Sequence, residues 1–469
     1  MAKVDTAGMA VDNTQKITHV LDRLSLGPRP GDRQRVERMG VEQYIQAQLA
    51  PDDNAAPDTL TGPLQNLSTL SLTPVDIHEQ YGPPERGASQ QQREAARKKQ
   101  RQVAQESLHA RMRQALENPN QLQEVMTDFW FNHFNVYIGK GITRLWAGVY
   151  EKTVLRPLAL GKFRDLLGAT AKHPAMSFYL DNWRNTDPAS ELAKGQYKGF
   201  NENYARELME LHTMGVDGGY TQADVESLTR ILTGWGLVRQ NRANHDGSGF
   251  QFAPRRHDSR DKTLLGESNP GGGIEEGEKA LDLLAQHPST AQHISYKLAQ
   301  YFVSDEPPEG LVNRLANRFK ETDGCIREVL RSLFTDDTFW APEHYQTKFK
   351  TPYQYILSIA RAVKLSNPEE NDVQRLLGGM GQLGMPLYRC RTPDGYAQVE
   401  SAWNNDEAML SRVGFARAVA NMKDPKPPAA ELLATLGDQF SAETRSVVDS
   451  SPPGMQPALV LASPEMMYR

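Results

Sequence analysis

The sequence has few cysteines, and this scarcity excludes two kinds of protein. Cys325 and Cys390 are the only two in 469 residues, and neither lies in a CxxC pair. A disulfide-stapled scaffold needs several cysteine pairs, and a thiolate metal cage needs closely spaced cysteines. We therefore interpret both residues as free or buried thiols.

Long hydrophobic runs are also missing. No window approaches the roughly 18 to 20 apolar residues that a membrane-spanning helix needs, and a typical apolar run is as short as Pro457 to Ala462. The N-terminus has no apolar stretch of the kind that marks a signal peptide. The sequence as written predicts a cytoplasmic protein without a membrane span. Removal of an export signal, which would make the protein periplasmic or extracellular, would leave the same N-terminus.

Signatures of nucleotide and nucleic-acid binding are absent as well. There is no GxxxxGK[ST] loop and no GxGxxG between a strand and a helix. The formal net charge of -5 gives no overall attraction to nucleic acid. One basic stretch, Arg93 to Arg113, lacks interleaved aromatic residues, and we interpret it as a solvated helix face. We therefore predict no nucleotide cofactor and no nucleic-acid partner.

Helical spacing of apolar residues fills most of the chain, whereas strand-like alternation is scarce. One such run consists of Ile17, Val20, Leu21 and Leu24. Thr221 with Asp224 three residues later predicts a helix start, and Gly215 and Gly234 predict left-handed helix ends. The pattern predicts a mainly α fold, a large multi-helix globular domain of about fifteen helices.

We predict an N-terminal tail at residues 1–15 and a single large helical domain at residues 16–469. Stretches rich in proline, glycine and polar residues interrupt the helical pattern and predict long loops that are functional or mobile. These predicted loops cover residues 51–85, 182–200 and 239–273, and a Pro-rich connection covers residues 423–429.

The first segment with chemistry-bearing residues surrounds FWFNHFNV. On a helix, Glu124, Asp128 and Asn132 share one ridge, and His133 lies on the neighbouring ridge. A carboxylate ridge beside aromatic side chains can bind a cation. The structural alternative is a core helix whose acidic ridge pairs with basic residues elsewhere, and for His133 a satisfied core histidine also stays open.

A second predicted helix carries Glu207 on one border of a buried stripe that includes Tyr204. His212 lies on the other border, so the two residues cannot chelate one ion from this helix alone. Arg206 and Glu210 are spaced for a surface ion pair. A carboxylate beside an apolar stripe needs a specific partner, which makes Glu207 a functional candidate.

A third segment, Arg255 to Lys262, places His257 and Asp258 next to each other in a predicted loop. Together they supply a proton carrier with its orienting carboxylate, or two metal ligands, and the surrounding basic residues can hold an anionic substrate. The alternative is a charged loop exposed to solvent.

These segments resemble a family catalogued as domain of unknown function 1800. The resemblance rests on FWFNHFNV (129–136), KHPAMSFYLDN (172–182), NENYARELMELHTMGVDGGYT (201–221), LTGW (232–235) and the RHD at 256–258. Weaker similarity continues to the closing LASPEMMYR. The resemblance implies a large helical bacterial protein, often exported and encoded beside a sulfatase-like family, and it supplies no activity. Cys325 stands where the family usually carries an acidic residue.

Our leading hypothesis is a divalent-metal-dependent enzyme, hydrolytic or oxidative, that acts on an unknown substrate. Oxygen-rich ligands with one or two imidazoles suit Mn, Fe or Zn. The predicted metal ligands are Asp128, His133, Glu207, His257 and Asp258. In a hydrolytic version Glu210 takes a proton from a metal-bound water, and Tyr204 and Arg206 are further catalytic candidates.

The rival hypothesis is a non-catalytic helical scaffold or protein partner, including a partner of the sulfatase-like protein that relatives encode nearby. In that case the same carboxylates and imidazoles form a buried polar network that fixes the fold. The rival predicts that each of them is matched by an arginine, an asparagine or a backbone group, and that no open cavity remains.

Overall fold

The computed structural model describes residues 12–52, 56–85, 87–238, 246–422, 426–437 and 439–469. Most of the predicted N-terminal tail lies outside these residues. So do parts of the predicted loops at 51–85 and 239–273 and part of the connection at 423–429.

Helices form most of the described chain, which confirms the mainly α fold. The first half contains α1 (Asn13–Leu24), α2 (Asp32–Met39), α3 (Val41–Leu49), α4 (Asp58–Gln65), α5 (Pro74–Tyr81), α6 (Gln90–Glu117), α7 (Gln121–His133), α8 (Ala147–Tyr150), α9 (Arg156–Leu158), α10 (Phe163–Lys172), α11 (Pro174–Tyr179), α12 (Asn203–Glu207) and α13 (Gln222–Ile231). The second half contains α14 (Ile274–Gln286), α15 (Pro288–Phe302), α16 (Glu309–Glu321), α17 (Ile326–Thr335), α18 (Pro352–Ala362), α19 (Glu370–Gln382), α20 (Asp406–Ala420), α21 (Ala429–Leu436), α22 (Ala442–Ser450) and α23 (Gln456–Ala462).

The core is built around helices that are buried on every side. All of α18 is buried, and in α7 every residue except Asn132 is buried. One hydrophobic cluster runs from Ile17 to Met467, and α15, α16 and α17 pack in sequence against one another. Within the described residues, no helix is both long enough and apolar enough to span a membrane.

Several predicted helix ends are confirmed. Thr221 caps α13, and it forms a reciprocal capping box with Asp224. Gly215 and Gly234 adopt positive φ angles of 85° and 79°, as left-handed helix ends require.

The predicted loop at 51–85 is wrong in part, because it contains α4 and α5. Thr73 caps α5, with Pro74 at the first helical position and Asp76 completing a capping box. Proline at this position starts a helix, since its missing N–H would have no partner there. The proline that indicated a loop therefore marks a helix start.

The predicted loop at 239–273 is also wrong in part, because its described residues contain three short strands, which form two antiparallel hairpins together with a fourth strand just before the loop. The first pairs β1 (Trp235–Leu237) with β2 (Phe250–Phe252), and the second pairs β3 (Lys262–Leu264) with β4 (Glu267–Asn269). The predicted loop at 182–200 has only two short 3-10 turns, at Asn182–Arg184 and Gly195–Tyr197.

Two π-helical turns interrupt the α-helical pattern, at Glu151–Leu155 and at Leu208–His212. The second corrects the prediction that one regular helix continues through His212. Thr213 supports it, since its hydroxyl donates to the carbonyl oxygen of Leu208 at 2.6 Å. Such turns are rare in proteins, and those that occur are often found at functional sites.

Candidate functional site

Asp128, a predicted metal ligand, lies in a buried network of ion pairs. Arg111 donates to Oδ1 of Asp128 at 2.9 Å, and its other terminal nitrogen lies 3.1 Å from Oε2 of Glu151. Arg156 joins Glu151 to Glu124, at 2.7 Å and 2.9 Å respectively. We call these five residues the Arg111 network. It pairs the acidic ridge of α7 with arginines. This is the arrangement expected if α7 is a core helix whose carboxylates have a structural role.

The Arg111 network removes three carboxylates and two guanidinium groups from bulk water. Burial raises the pKa of Asp128 to about 6, although the charge of Arg111 opposes this change. Tyr388 donates to Oε2 of Glu151 at 2.7 Å, and its φ of 61° is one that bulky residues adopt only where the surroundings impose it. The network fixes α6, α7 and the first π turn relative to one another.

His257 and Asp258 are neighbours in the chain but have separate partners. Nδ1 of His257 donates to the carbonyl oxygen of Thr233 at 2.9 Å, and Nε2 lies 3.1 Å from Oε1 of Glu276. Asp258 accepts a hydrogen bond from Nε of Arg230 at 2.7 Å. Burial alone would raise the pKa of Asp258, but hydrogen bonds from two arginine side chains lower it. Both residues tie their loop to α13 and α14.

His133 belongs to a group of three imidazoles. Nε2 of His133 donates to the carbonyl oxygen of His212 at 3.1 Å, and the His133 ring centroid lies 6.0 Å from that of His212 and 6.3 Å from that of His293. Burial lowers all three pKa values, to about 3 for His212 and about 4 for His293. The imidazoles are therefore neutral near pH 7.

Glu207 is the predicted ligand without a partner. Its half-buried carboxylate lies at the end of α12, beside the second π turn, and has no hydrogen bond or ion pair within the described part of the chain. Burial, with the charges of Glu210 and Asp394, raises its pKa. A carboxyl group in this state holds its proton at a higher pH than usual, which suits acid–base chemistry.

Lys297 lies on α15, one helical turn after His293, and is partly buried. Among residues 12–52, 56–85, 87–238, 246–422, 426–437 and 439–469, no carboxylate lies within ion-pair distance of its ammonium group. Burial lowers the pKa of Lys297 to about 8, and the charge of Asp394 opposes this change. A substantial share of Lys297 side chains is therefore uncharged slightly above neutral pH.

The turn that carries Asp394 is held against the end of α7. Nδ2 of Asn135 donates to the carbonyl oxygens of Cys390 and Thr392, at 3.1 Å and 2.8 Å. The hydroxyl of Tyr179 donates to the carbonyl oxygen of Arg391 at 2.8 Å. These bonds fix the turn by its backbone, so its position does not depend on the charge of Asp394.

Asp394 is exposed and acts electrostatically on both unpaired groups, raising the pKa of Glu207 and that of Lys297. The charges of Glu207 and Asp394 also add to burial in raising the pKa of Tyr179. We call Glu207, Lys297, Asp394 and Tyr179 the Glu207–Lys297 site. The carboxyl group of Glu207 and the amine of Lys297 are each influenced by the charge of Asp394, whereas neither contributes to the pKa change of the other.

The three predicted catalytic residues lie on the same helical segment as Glu207. Arg206 donates to Oε1 of Glu210 at 3.2 Å, as its spacing predicted, and the charge of Glu210 adds to burial in raising the pKa of Tyr220. Tyr204 is fully buried, and burial raises its pKa. Glu210 is thus occupied by partners, whereas Glu207 is not.

Lys297 and Asp394 were not identified by the sequence analysis. Lys297 sits beside the apolar residues Ile294 and Leu298 of α15, and a lysine beside such a stripe was a usable signal. Asp394 lies in an exposed turn without any local pattern, and only tertiary contacts bring it near Glu207.

The five predicted metal ligands have different surroundings. Asp128 belongs to the Arg111 network, His133 to the imidazole group, Glu207 to the Glu207–Lys297 site, and the other two to the loop after β2. In the part of the chain that the structure describes, no three His, Cys, Asp or Glu side chains are grouped so that they could hold a metal ion. The metal itself stays a prediction.

A family model described as "Protein of unknown function (DUF1800)" matches residues 19–468, nearly the whole chain. No curated protein and no solved structure matches the chain.

Proposed function

Since this chain belongs to the DUF1800 family of proteins of unknown function, we propose a function from the site itself: an enzyme that performs acid–base chemistry at the Glu207–Lys297 site. One observation carries the proposal. Among the predicted ligands, Glu207 alone lacks a partner in the described residues, while Asp128, His133, His257 and Asp258 each have one. An unpaired ionisable group in a partly buried position costs stability, which a functional role justifies.

The chemistry follows from the two pKa changes. Nζ of Lys297 is partly unprotonated near pH 8, so it can accept a proton from a substrate or from an attacking water. The carboxyl group of Glu207, with its raised pKa, can then donate a proton to a leaving group. The charge of Asp394 partly opposes the effect of burial on the pKa of Lys297. The proposal requires one substrate to reach both groups, and an acid and a base that act on the same substrate support hydrolysis of an ester, amide or glycoside bond.

The test is a panel of chromogenic esters, amides, glycosides and phosphate esters. We expect at least one substrate class to be hydrolysed, and Glu207→Gln to lower the rate by about 100- to 10,000-fold, the usual contribution of a positioned acid or base. Glu226→Gln is the matched control, because Glu226 is exposed on the neighbouring helix α13. Equal rates in the wild-type protein and Glu207→Gln would contradict the proposal.

The predicted divalent metal is tested separately. Because His257 is bonded to Thr233 and Glu276, whereas Glu207 has no partner in the described residues, we expect no bound metal to depend on both residues. Metal content is measured by mass spectrometry on protein purified without a metal-affinity column, for the wild-type protein, Glu207→Ala and His257→Ala. Stoichiometric metal that falls in both variants would contradict this expectation and support a shared three-segment site.

A helical scaffold or partner protein is the second candidate, and the Arg111 network favours it. There both carboxylates of the α7 ridge, Asp128 and Glu124, are matched by arginines, as the rival hypothesis requires. The unpaired Glu207 and Lys297 favour the enzyme. The same substrate panel separates the two candidates. An enzyme should hydrolyse at least one substrate and lose this activity in Glu207→Gln, whereas a scaffold should hydrolyse none.

A further inference from the structure

We propose that a second site, a cleft of about 300 Å³, binds a small organic carboxylate carried on a ring. The site goes beyond the proposed acid–base function. It is formed by the predicted loop at 182–200, by residues 251–256 of the predicted loop at 239–273, and by the end of β1.

Both walls of the cleft contribute aromatic or aliphatic side chains. The two 3-10 turns supply Trp183 and Tyr197, and the loop between them supplies Leu192. The β1–β2 hairpin supplies Leu237 and Phe252. Small-molecule sites are typically about 300–1,000 Å³ and mostly apolar, with a few polar groups that fix orientation. The volume of this cleft matches the lower end of that range.

The charged groups that line the cleft all have one sign. Arg255 and Arg256 both line it, and none of the described residues that line it is an aspartate or a glutamate. This local excess of positive charge occurs on a chain whose formal net charge is -5. A cleft with cationic walls attracts anions and raises their local concentration. The charge pattern therefore selects an anionic ligand over a neutral or cationic one.

The two arginines have different positions. Arg256 is buried, its guanidinium carbon lies 4.4 Å from the centre of the Tyr197 ring, and it donates to the carbonyl oxygen of Trp183 at 3.0 Å. Arg255 is 75% exposed, and its contact with Glu191, at 3.5 Å, joins two exposed side chains. Exposed pairs of this kind contribute little. Arg255 is thus available to an incoming carboxylate, while Arg256 holds a fixed place in the wall.

The ligand class combines these observations. A carboxylate suits Arg255, because a planar guanidinium group can donate two parallel hydrogen bonds to the two oxygens of a carboxylate. Gln251 supplies a neutral donor and acceptor in the same cleft. The apolar walls favour a compact ring over an extended chain. Both aromatic acids and sugar acids meet this description.

Calorimetric titration of the full chain tests the proposal with four probes. Benzoate and glucuronate carry the carboxylate, and benzamide and methyl glucoside are their neutral counterparts. We expect at least one acid to bind, its neutral counterpart to bind at least tenfold more weakly, and Arg255→Gln to weaken the acid about tenfold, the loss of one charge-assisted contact. Binding of benzoate alone indicates an aromatic acid, and binding of glucuronate alone indicates a sugar acid.

Two further variants complete the experiment. Arg375→Gln removes an arginine of α19 that is 62% exposed and should leave the affinity unchanged. Tyr197→Leu removes the ring against which Arg256 packs and should weaken binding even though Arg255 is intact. The proposal is overturned if neither acid binds, if the neutral probes bind equally well, or if Arg255→Gln and Arg375→Gln have the same affinity.

Discussion

Arg111→Met should lower the free energy of unfolding by about 3–5 kcal/mol, the usual cost of leaving buried charges without their partner. Arg111 is 1% exposed and contacts Asp128 and Glu151. Methionine fills similar space but leaves both carboxylates in a medium that solvates them poorly. Urea denaturation at about pH 7 measures the difference.

The matched control for this substitution is Arg314→Gln. Arg314 forms two hydrogen bonds with one carboxylate, that of Asp336, and its side chain is 53% exposed. Exposed ion pairs contribute at most about 1 kcal/mol. If Arg111→Met costs no more than Arg314→Gln, the Arg111 network does not stabilise the fold in the way described.

Lys297→Met should have the opposite sign and raise the free energy of unfolding by about 1–3 kcal/mol at neutral pH. Burial lowers the pKa of Lys297 from 10.5 to about 8, and each tenfold change in proton affinity corresponds to about 1.4 kcal/mol. The side chain is partly exposed, which reduces the effect. Urea denaturation of both proteins measures the gain.

The dependence of this gain on pH provides a second check. Between about pH 8 and pH 10.5 the unfolded chain binds one more proton at Lys297 than the folded chain, so the wild-type protein gains stability as the pH rises. The advantage of Lys297→Met should therefore shrink across this interval. Lys279→Met, at an exposed lysine of α14, should change stability by less than about 0.5 kcal/mol. A loss of stability in Lys297→Met would identify Lys297 as a structural group.

The two substitutions are expected to change the free energy of unfolding in opposite directions, and this difference separates two kinds of buried charge. Charges that hold a fold together cost stability when they are removed, whereas charges kept for a reaction often cost stability while they are present. The Arg111 network belongs to the first kind. Lys297, in our proposal, belongs to the second.

The fold was predictable because it depends on local pattern. Apolar periodicity gave the helices, and Thr221, Gly215 and Gly234 marked helix ends through chemistry that acts within a few residues. The same local rule failed at Pro74, where proline starts a helix and was interpreted as part of a loop.

The candidate site was predictable only at Glu207. That carboxylate borders an apolar stripe, and the stripe can be recognised from its own helix. Asp128 and His257 looked equally suitable, but their partners are residues of other elements, Arg111 and Glu276. The sequence of one helix does not show which distant side chain will neutralise a charge, so a structural ion pair and a metal ligand have the same local signature.

The second π turn also limits how Glu207 and His212 can be copied together into another protein. Glu207 immediately precedes the π turn Leu208–His212, and His212 is the last residue of that turn. A π turn is wider than an α-helical turn because its hydrogen bonds join residues i and i+5. A helical wheel drawn with regular spacing therefore misdirects every residue that follows. Grafting Glu207 and His212 onto an ordinary α-helix would turn one of them away from its neighbours, so a transplanted site must carry the whole turn with it.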